Sequence, residues 1–442
     1  MISCKIKRKE QFETHRDSDL IKEIFTVILL VMSYIVNIPI LTLAAFIIAC
    51  GFVIFSKYQK SVYYLAFFTS FSGIFVFKGR HMFFLMAGLF ILKSLVVNKI
   101  NKNTLIFYLV IIAYCIVFSD IQGEYSFARI IGLILLFLIP LIASYSDKID
   151  CSVFIQHYIF GFVIATVIGF FVKSIPSMYK LFDTDIMWTK SYQELTRFFG
   201  LAFDSNFYAL SNYTIIAYLL FAFEKINPFR GILILFLLIS GVMTISKSYL
   251  LIIGVLLALY IVKNISKIKY IMIFLLAAII GIWIFSIISK KIGFNAIDLI
   301  IARFVKGGDI ADNTSGRVDI WKDYIEIFKA SGVKKLLFGF GFNAEVIHAS
   351  HNTFIEFFYH FGFIGSALWG VYFIYCGNLF RKKTIFFENK TPLVCICLIT
   401  GIFFLSAYTY EAFWIGIVIS MMTLGKRIRA NENIIQHNSA DL

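Results

Sequence analysis

The chain has 442 residues, 60% of them hydrophobic, 18% aromatic and only 15% charged, with a net charge of +15. Apolar runs of membrane-spanning length recur from residue 24 to residue 424 and are apolar at both odd and even positions, which excludes an outer-membrane barrel and predicts helices that satisfy their own backbone groups. The basic residues stand in short clusters between those runs (KIKRKE, KYQK, KINK, KNISKIK, RKK, KRIR), so the charge marks topology and excludes a nucleic-acid partner.

Residues 1–23 are charged and polar, lack a short apolar core with a cleavage site, and read as a cytoplasmic tail. The N-terminal helices fill 24–172, with spans at 24–36, 40–55, 61–77, 82–97, 104–118, 130–145 and 153–172. As one straight helix, 24–55 would run about 48 Å, too long for a core of about 30 Å, and Asn37-Ile38-Pro39 offers the break. A first long polar loop covers 173–206. Central helices fill 207–288, with spans at 207–223, 232–245, 249–262 and 270–288, and a second long polar loop covers 289–362. The C-terminal helices fill 363–424, at 363–379, 393–407 and 412–424, before a cytoplasmic tail over 425–442. The expected fold is therefore all-α and polytopic, with about 14 transmembrane helices and two long periplasmic loops.

With the N-terminus inside, the short external loops carry only Lys78, Arg80 and Lys247, and both termini face the cytoplasm. Both long loops then lie outside, where ATP and nucleotide sugars are absent, so any reaction there needs an already activated substrate. Span interiors are nearly free of charge: Lys93 reaches the cytoplasmic end by snorkelling, and Arg129 stands at the external start of its helix. The seven cysteines lie in spans or short connections and form no disulfide framework.

The first long loop ends in TRFFGLAFDSNFYAL, which places Arg197, Asp204 and Asn206 just outside a span. Arginine suits bidentate clamping of a diphosphate, although an arginine at a helix entry is more often a topology marker. In the second loop, Ser315 is the expected N-cap of a helix with Val318, Trp321, Ile325 and Phe328 on its apolar face, and Arg317 one turn from Trp321. That spacing fits an interfacial helix, with tryptophan at headgroup level, as well as it fits a site. FGFGFNAE lacks the βαβ surroundings of a dinucleotide fingerprint and reads as a glycine turn leading to HASHNTFIEFFYHFGFIGS. There Thr353 and Glu356 form a capping box, which sets His351 and Asn352 just ahead of a helix N-terminus suited to a phosphate. Histidine is the side chain best suited to take a proton from a sugar hydroxyl near neutral pH. His348 and His351 could share a metal, but no third ligand of the expected kind is evident; His360 reads as an interfacial aromatic-belt residue.

Taken in order, Arg197-x-x-Gly200 with Asp204-x-Asn206, Thr244-Ile-Ser-Lys247, Ser315-Gly-Arg317 with Trp321, Phe338-Gly-Phe-Gly341, and His351-Asn352 with Gly362 and Gly365 resemble the O-antigen ligase and polymerase superfamily of bacterial surface-polysaccharide enzymes. The resemblance covers roughly residues 197–379. It implies transfer of a glycan from undecaprenyl diphosphate to a sugar hydroxyl on the periplasmic face of the bacterial inner membrane, without metal or cofactor. Carried onto this chain, His351 is the general base, Arg197 and Arg317 bind the departing lipid diphosphate, and Lys247, Asn206, Asn352, Trp321 and His348 contact diphosphate or glycan. Lys247 departs from the arginine usual in the family, so a point charge replaces a planar fork. The partners implied are the lipid-linked oligosaccharide, membrane lipids, and a chain-length regulator and flippase of the same pathway. A repeat-unit polymerase is the reading preferred, with an O-antigen ligase, a lipid-linked oligosaccharide flippase and a non-catalytic assembly partner as alternatives.

Overall fold

The computed structural model describes residues 2–97, 102–118, 126–145, 148–182, 197–223, 227–264, 316–342, 344, 350–383, 385–386, 392–405, 410–424 and 426–427, with 276, 279, 280, 283 and 287. The side chains of 2–18, 126–131, 173, 382–386 and 426–427 are outside that description, as are Ser315, His348 and most of the expected span at 270–288. The described chain is all-α, its only strands being two pairs of two residues each. It divides into two compact units.

The first unit comprises Met1–Asn98 and Ser152–Thr189. Its helix α1 (Ile2–Ile35) takes in the stretch expected as a polar tail, so the tail and the first span are one element. The chain turns at Asn37, whose φ is 54°, and Pro39 opens α2 (Pro39–Phe55), where a missing N–H breaks no helical bond. Helix α3 (Tyr58–Thr69) stops well short of the expected span over 61–77. Its continuation is a 3-10 turn, Ser72–Ile74, and a hairpin of β1 (Val76–Phe77) and β2 (Arg80–His81). Lys78 and Gly79, both at positive φ, make the turn that such a two-residue hairpin needs. Phe71, Ile74 and Phe75 are fully buried, and the Ile74 carbonyl accepts from the Tyr34 hydroxyl. The irregular backbone there is enclosed by packed side chains and has its polar groups bonded within the protein.

Helix α4 (Phe83–Val97) carries Lys93, which donates to the Val53 and Ser56 carbonyls and the Ser61 hydroxyl. Its ammonium thus satisfies the C-terminal end of α2, where the dipole favours a cation, and does not simply extend to the membrane surface as expected. After helices α5 (Lys102–Val117) and α6 (Ser126–Ser144) of the second unit, the chain returns as α7 (Cys151–Phe171) and the single turn α8 (Pro176–Tyr179). On α7, His157 Nδ1 lies 2.7 Å from Oε1 of Glu23, which has 0% exposure, and Tyr63 stacks on the imidazole. One turn before Glu23, Asp19 accepts from the Tyr64 hydroxyl and pairs with Lys60. Asp19, Glu23 and Lys60 stand outside the expected spans, and both carboxylates are buried against partners.

The second unit comprises Lys99–Cys151 and Lys190–Leu442. Besides α5 and α6 it holds α9 (Ser205–Phe221), α10 (Pro228–Val242), α11 (Lys247–Lys263), α12 (Arg317–Ala330), α13 (Val333–Phe338), α14 (Thr353–Lys383), α15 (Pro392–Ile402) and α16 (Glu411–Thr423). Strands β3 (Ile385–Phe386) and β4 (Lys426–Arg427) pair in parallel. Helix α9 is buried nearly all round, with α10, α11, α15 and α16 packed on it. Inside that packing, Asn212 donates to the Leu237 carbonyl and Ser240 hydroxyl and accepts from the Tyr249 hydroxyl, which joins α9, α10 and α11. A buried carboxamide with its donors and acceptor all matched fixes the register of three helices.

Helix α14 bends at Gly362, whose φ of 60° and ψ of −167° are not helical. The expected span began at residue 363, so the kink stands at that boundary, and the helix continues outward from it to Thr353. Gly362 and Gly339 (φ 84°) cross backbone against backbone: a Cβ on Gly339 would lie 2.3 Å from the His360 carbonyl oxygen, and one on Gly362 2.3 Å from the Gly339 nitrogen. Phe340 and Gly341 N–H groups donate to the Tyr359 and His360 carbonyls, and the Tyr114 hydroxyl on α5 donates to those of Phe338 and Phe361. Carbonyls freed by the kink are thereby satisfied. His360, expected at the interface, is 1% exposed with Nδ1 3.0 Å from the Gly341 carbonyl.

Two helical segments are long and apolar enough to cross a membrane, Cys151–Phe171 and Thr353–Arg381, and shorter apolar helices of 10–17 residues accompany them among the described residues. Of the apolar window in Thr353–Arg381, 28% is buried.

Candidate functional site

The site begins at Arg197, whose Nε donates to the Thr244 carbonyl (2.8 Å) and Nη2 to Asn206 Oδ1 (3.1 Å). Gly200, at φ 59°, then turns the chain where a Cβ would lie 2.6 Å from the Tyr208 ring. Asp204 caps α9 by accepting from the Asn206 N–H. Asn206 Oδ1 receives a second donor, the Ser246 hydroxyl, at 2.9 Å. One carboxamide oxygen therefore joins Arg197 to the start of α11.

The entry to α11 is a left-handed turn. Ile245 has φ 51°, an outlier for a β-branched residue, and it is held there by the Ser246 N–H on Thr244 Oγ1 (3.2 Å) and by burial of its side chain. Lys247 follows as the first helical residue, and Arg317 opens α12 in the same way behind left-handed Gly316. Both helices thus place a cation at the end where the dipole is already positive, an arrangement that favours an anion outside the protein. Gly316 takes the cap position of α12 that was expected of Ser315. Trp321, Tyr324 and Phe328 form the packed stripe of α12, through contacts with Phe403, Tyr359 and Phe358, while Ile325 is exposed.

The entry to α14 repeats the device at α11. His351 has φ 50°, the Asn352 N–H donates to Ser350 Oγ (3.0 Å), and Ser350 Oγ donates to the Asn352 carbonyl (2.8 Å). Asn352 Oδ1 accepts from the Phe354 and Ile355 N–H groups, at 2.9 and 3.1 Å. The expected capping box is thus displaced by one residue: Asn352 caps the helix, and the Thr353 hydroxyl donates instead to the Leu405 carbonyl. Asn352 is 2% exposed, and its side-chain oxygen serves the helix. Across from it, Trp321 Nε1 donates to the Ser350 carbonyl at 2.9 Å.

His351 itself is exposed but flanked by protein. Desolvation by that surrounding protein, and then the Arg317 guanidinium, hold its imidazole below the ordinary histidine range, with the Asp204 carboxylate opposing them. Asp204 therefore joins two groups of residues: it caps the helix whose Asn206 takes Arg197, and it acts on the imidazole that Arg317 also faces. An imidazole so placed stays neutral at neutral pH and can accept a proton.

Compared with known proteins, the chain matches no family model, no curated protein and no solved structure. The structure links Arg197 directly to Asn206, and His351 through charge to Arg317, with Lys247 beside Ser246 and Trp321 against the residue preceding His351. His348 lies outside the described residues. Among those residues no group of three or more His, Cys, Asp or Glu side chains gathers as metal ligands do. Sequence reasoning gave Asp204, Ser246 and Ser350 no role at the site, although the first two stand in motifs it quoted. Asp204 carried a signal, an acidic residue at the cap position before an apolar run. Ser246 stood inside the quoted Thr244-Ile-Ser-Lys247 stretch, and Ser350 carried no signal.

Proposed function

We propose that the protein is a repeat-unit polymerase of bacterial surface polysaccharide, a multi-pass inner-membrane enzyme of about 14 spans with both termini cytoplasmic and its site on the periplasmic face. The observation that carries this reading is the electrostatic meeting of His351 with Arg317 and Asp204, the last of which caps the helix whose Asn206 holds Arg197. His351 takes the proton of an acceptor sugar hydroxyl as its oxygen bonds to the anomeric carbon of the donor. The bond from that carbon to the lipid diphosphate breaks, and the diphosphate leaves with the electron pair. Arg197 and Arg317 stabilise the charge that develops on it, with Lys247 adding a point charge from the start of α11. Fixed cations act most strongly on such charge where water is scarce.

The test is a strain lacking the endogenous gene, carrying the wild type or His351→Ala at equal membrane abundance, with surface lipopolysaccharide and the lipid-linked glycan pool run on gels. Polymerase action predicts loss of the ladder with core capped by one repeat unit. Bare core with long lipid-linked glycan accumulating assigns a ligase instead. An unchanged ladder removes His351 from the mechanism and leaves the flippase or assembly-partner reading in its place.

A further inference from the structure

We propose that Trp321 is a positioning residue, which holds the turn carrying His351 at a fixed separation from Arg317 by bonding α12 to the Ser350 carbonyl. The inference rests on the reading of His351 as the base. Arg317 and Trp321 are four residues apart on α12 and so lie on one face, a single turn from each other. The indole N–H donates 2.9 Å to the residue immediately before His351. One hydrogen bond therefore connects the helix that bears the guanidinium to the turn that bears the imidazole.

The geometry around that bond fits a strut. On its far side the turn is already rigid, since Ser350 Oγ is bonded to both N–H and C=O of Asn352, Asn352 caps α14, and Thr353 is tied to Leu405. On the near side, Tyr324 and Phe328 pack against Tyr359 and Phe358, farther along both helices. Those contacts hold the middle and C-terminal part of α12. Trp321 holds the first turns, and its ring meets Phe403 edge-on, 5.5 Å between centroids and 77° between planes. His351 sits in left-handed backbone, where small shifts of the flanking carbonyl redirect the side chain.

Arg317 and Asp204 are the charged groups that act on the imidazole, in opposite senses, beyond the effect of burial. Loosening α12 from the turn weakens the first of them. The imidazole then titrates at higher pH and is more often protonated near neutrality, which a purely structural tryptophan would not cause.

The experiment follows exchange of the His351 imidazole C2 hydrogen for deuterium against pH, by mass spectrometry on the purified full chain, without any substrate. The proteins compared are wild type, Arg317→Gln, Trp321→Phe, which keeps a ring but loses the N–H, and Phe403→Leu, which loses the ring contact but keeps the N–H. The expected result is a midpoint moved to higher pH in Arg317→Gln and Trp321→Phe and unmoved in Phe403→Leu, although Phe403→Leu lowers the melting temperature. A midpoint that moves in Arg317→Gln but not in Trp321→Phe overturns the inference, as does one that moves in neither. Equal movement in Trp321→Phe and Phe403→Leu overturns it too, because general loosening would then account for both. If the midpoints move as expected while His351→Ala keeps its ladder in cells, the strut stands and the reading of His351 as a base falls.

Discussion

The chain enters α11 and α14 through the same backbone device and puts opposite side chains on it. In each, a hydroxyl residue accepts from the N–H two positions on, the residue between them is left-handed, and the helix starts immediately after (Thr244, Ile245 and Ser246 in one; Ser350, His351 and Asn352 in the other). At α11 the left-handed residue is an isoleucine with 1% exposure, and burial of its side chain compensates for a conformation it resists. At α14 it is an exposed histidine, a residue type that tolerates this region better. In one turn the strained side chain is covered by packing, and in the other it is exposed and titratable.

Four substitutions separate the two turns. The largest effect is expected from His351→Gly, with a loss of transfer of about a hundredfold to ten-thousandfold, as for removal of a general base, and no loss in melting temperature. A fall in melting temperature matching the lost activity would show that the turn needs its imidazole for folding. Next, Ile245→Ala should cost about 2–5 kcal/mol, as other truncations of a buried isoleucine do, measured by denaturation in detergent. Ile245→Gly leaves a similar cavity yet should be more stable than Ile245→Ala by about 1 kcal/mol, the reverse of their order in a helix, because glycine relieves the left-handed strain. The smallest effect is one of pH. A histidine held below its unfolded value binds fewer protons folded than unfolded, so stability falls as pH drops through that range. In Arg317→Gln, which removes one cause of the depression, melting temperature should fall less between neutral and mildly acidic pH than in wild type; an equal fall would place the effect on burial alone.

An all-α chain was legible from apolar runs at both parities, and the break at Asn37 to Pro39 from helix length alone. What failed did so for physical reasons. The run over 61–77 is apolar whether it is helix, 3-10 turn or buried hairpin, and periodicity cannot distinguish them when every side is covered. Thr353 and Asn352 are both good caps, and the choice fell to the residue whose backbone Ser350 already held. Glu23 was taken as the end of a tail, since its partner His157 lies 134 positions away. Arg197, Asn206, Arg317 and His351 were legible as candidates from residue type and motif order. The bonds between them were not, because Trp321 to Ser350 and Ser246 to Asn206 span 29 and 40 residues, beyond the reach of local spacing.

The crossing of Gly339 and Gly362 has a consequence for how this region could diversify. It ties the chain on either side of residues 342–358 together by close backbone approach and by the Phe340 and Gly341 N–H bonds to the Tyr359 and His360 carbonyls, with Tyr114 and the stacked rings of Phe340 and Tyr359 adding to them. For a segment closed at its base in this way, doubling its length adds only about 0.6 kcal/mol of closure entropy. Tyr359, His360 and Phe361 are held in place by the bonds at this crossing.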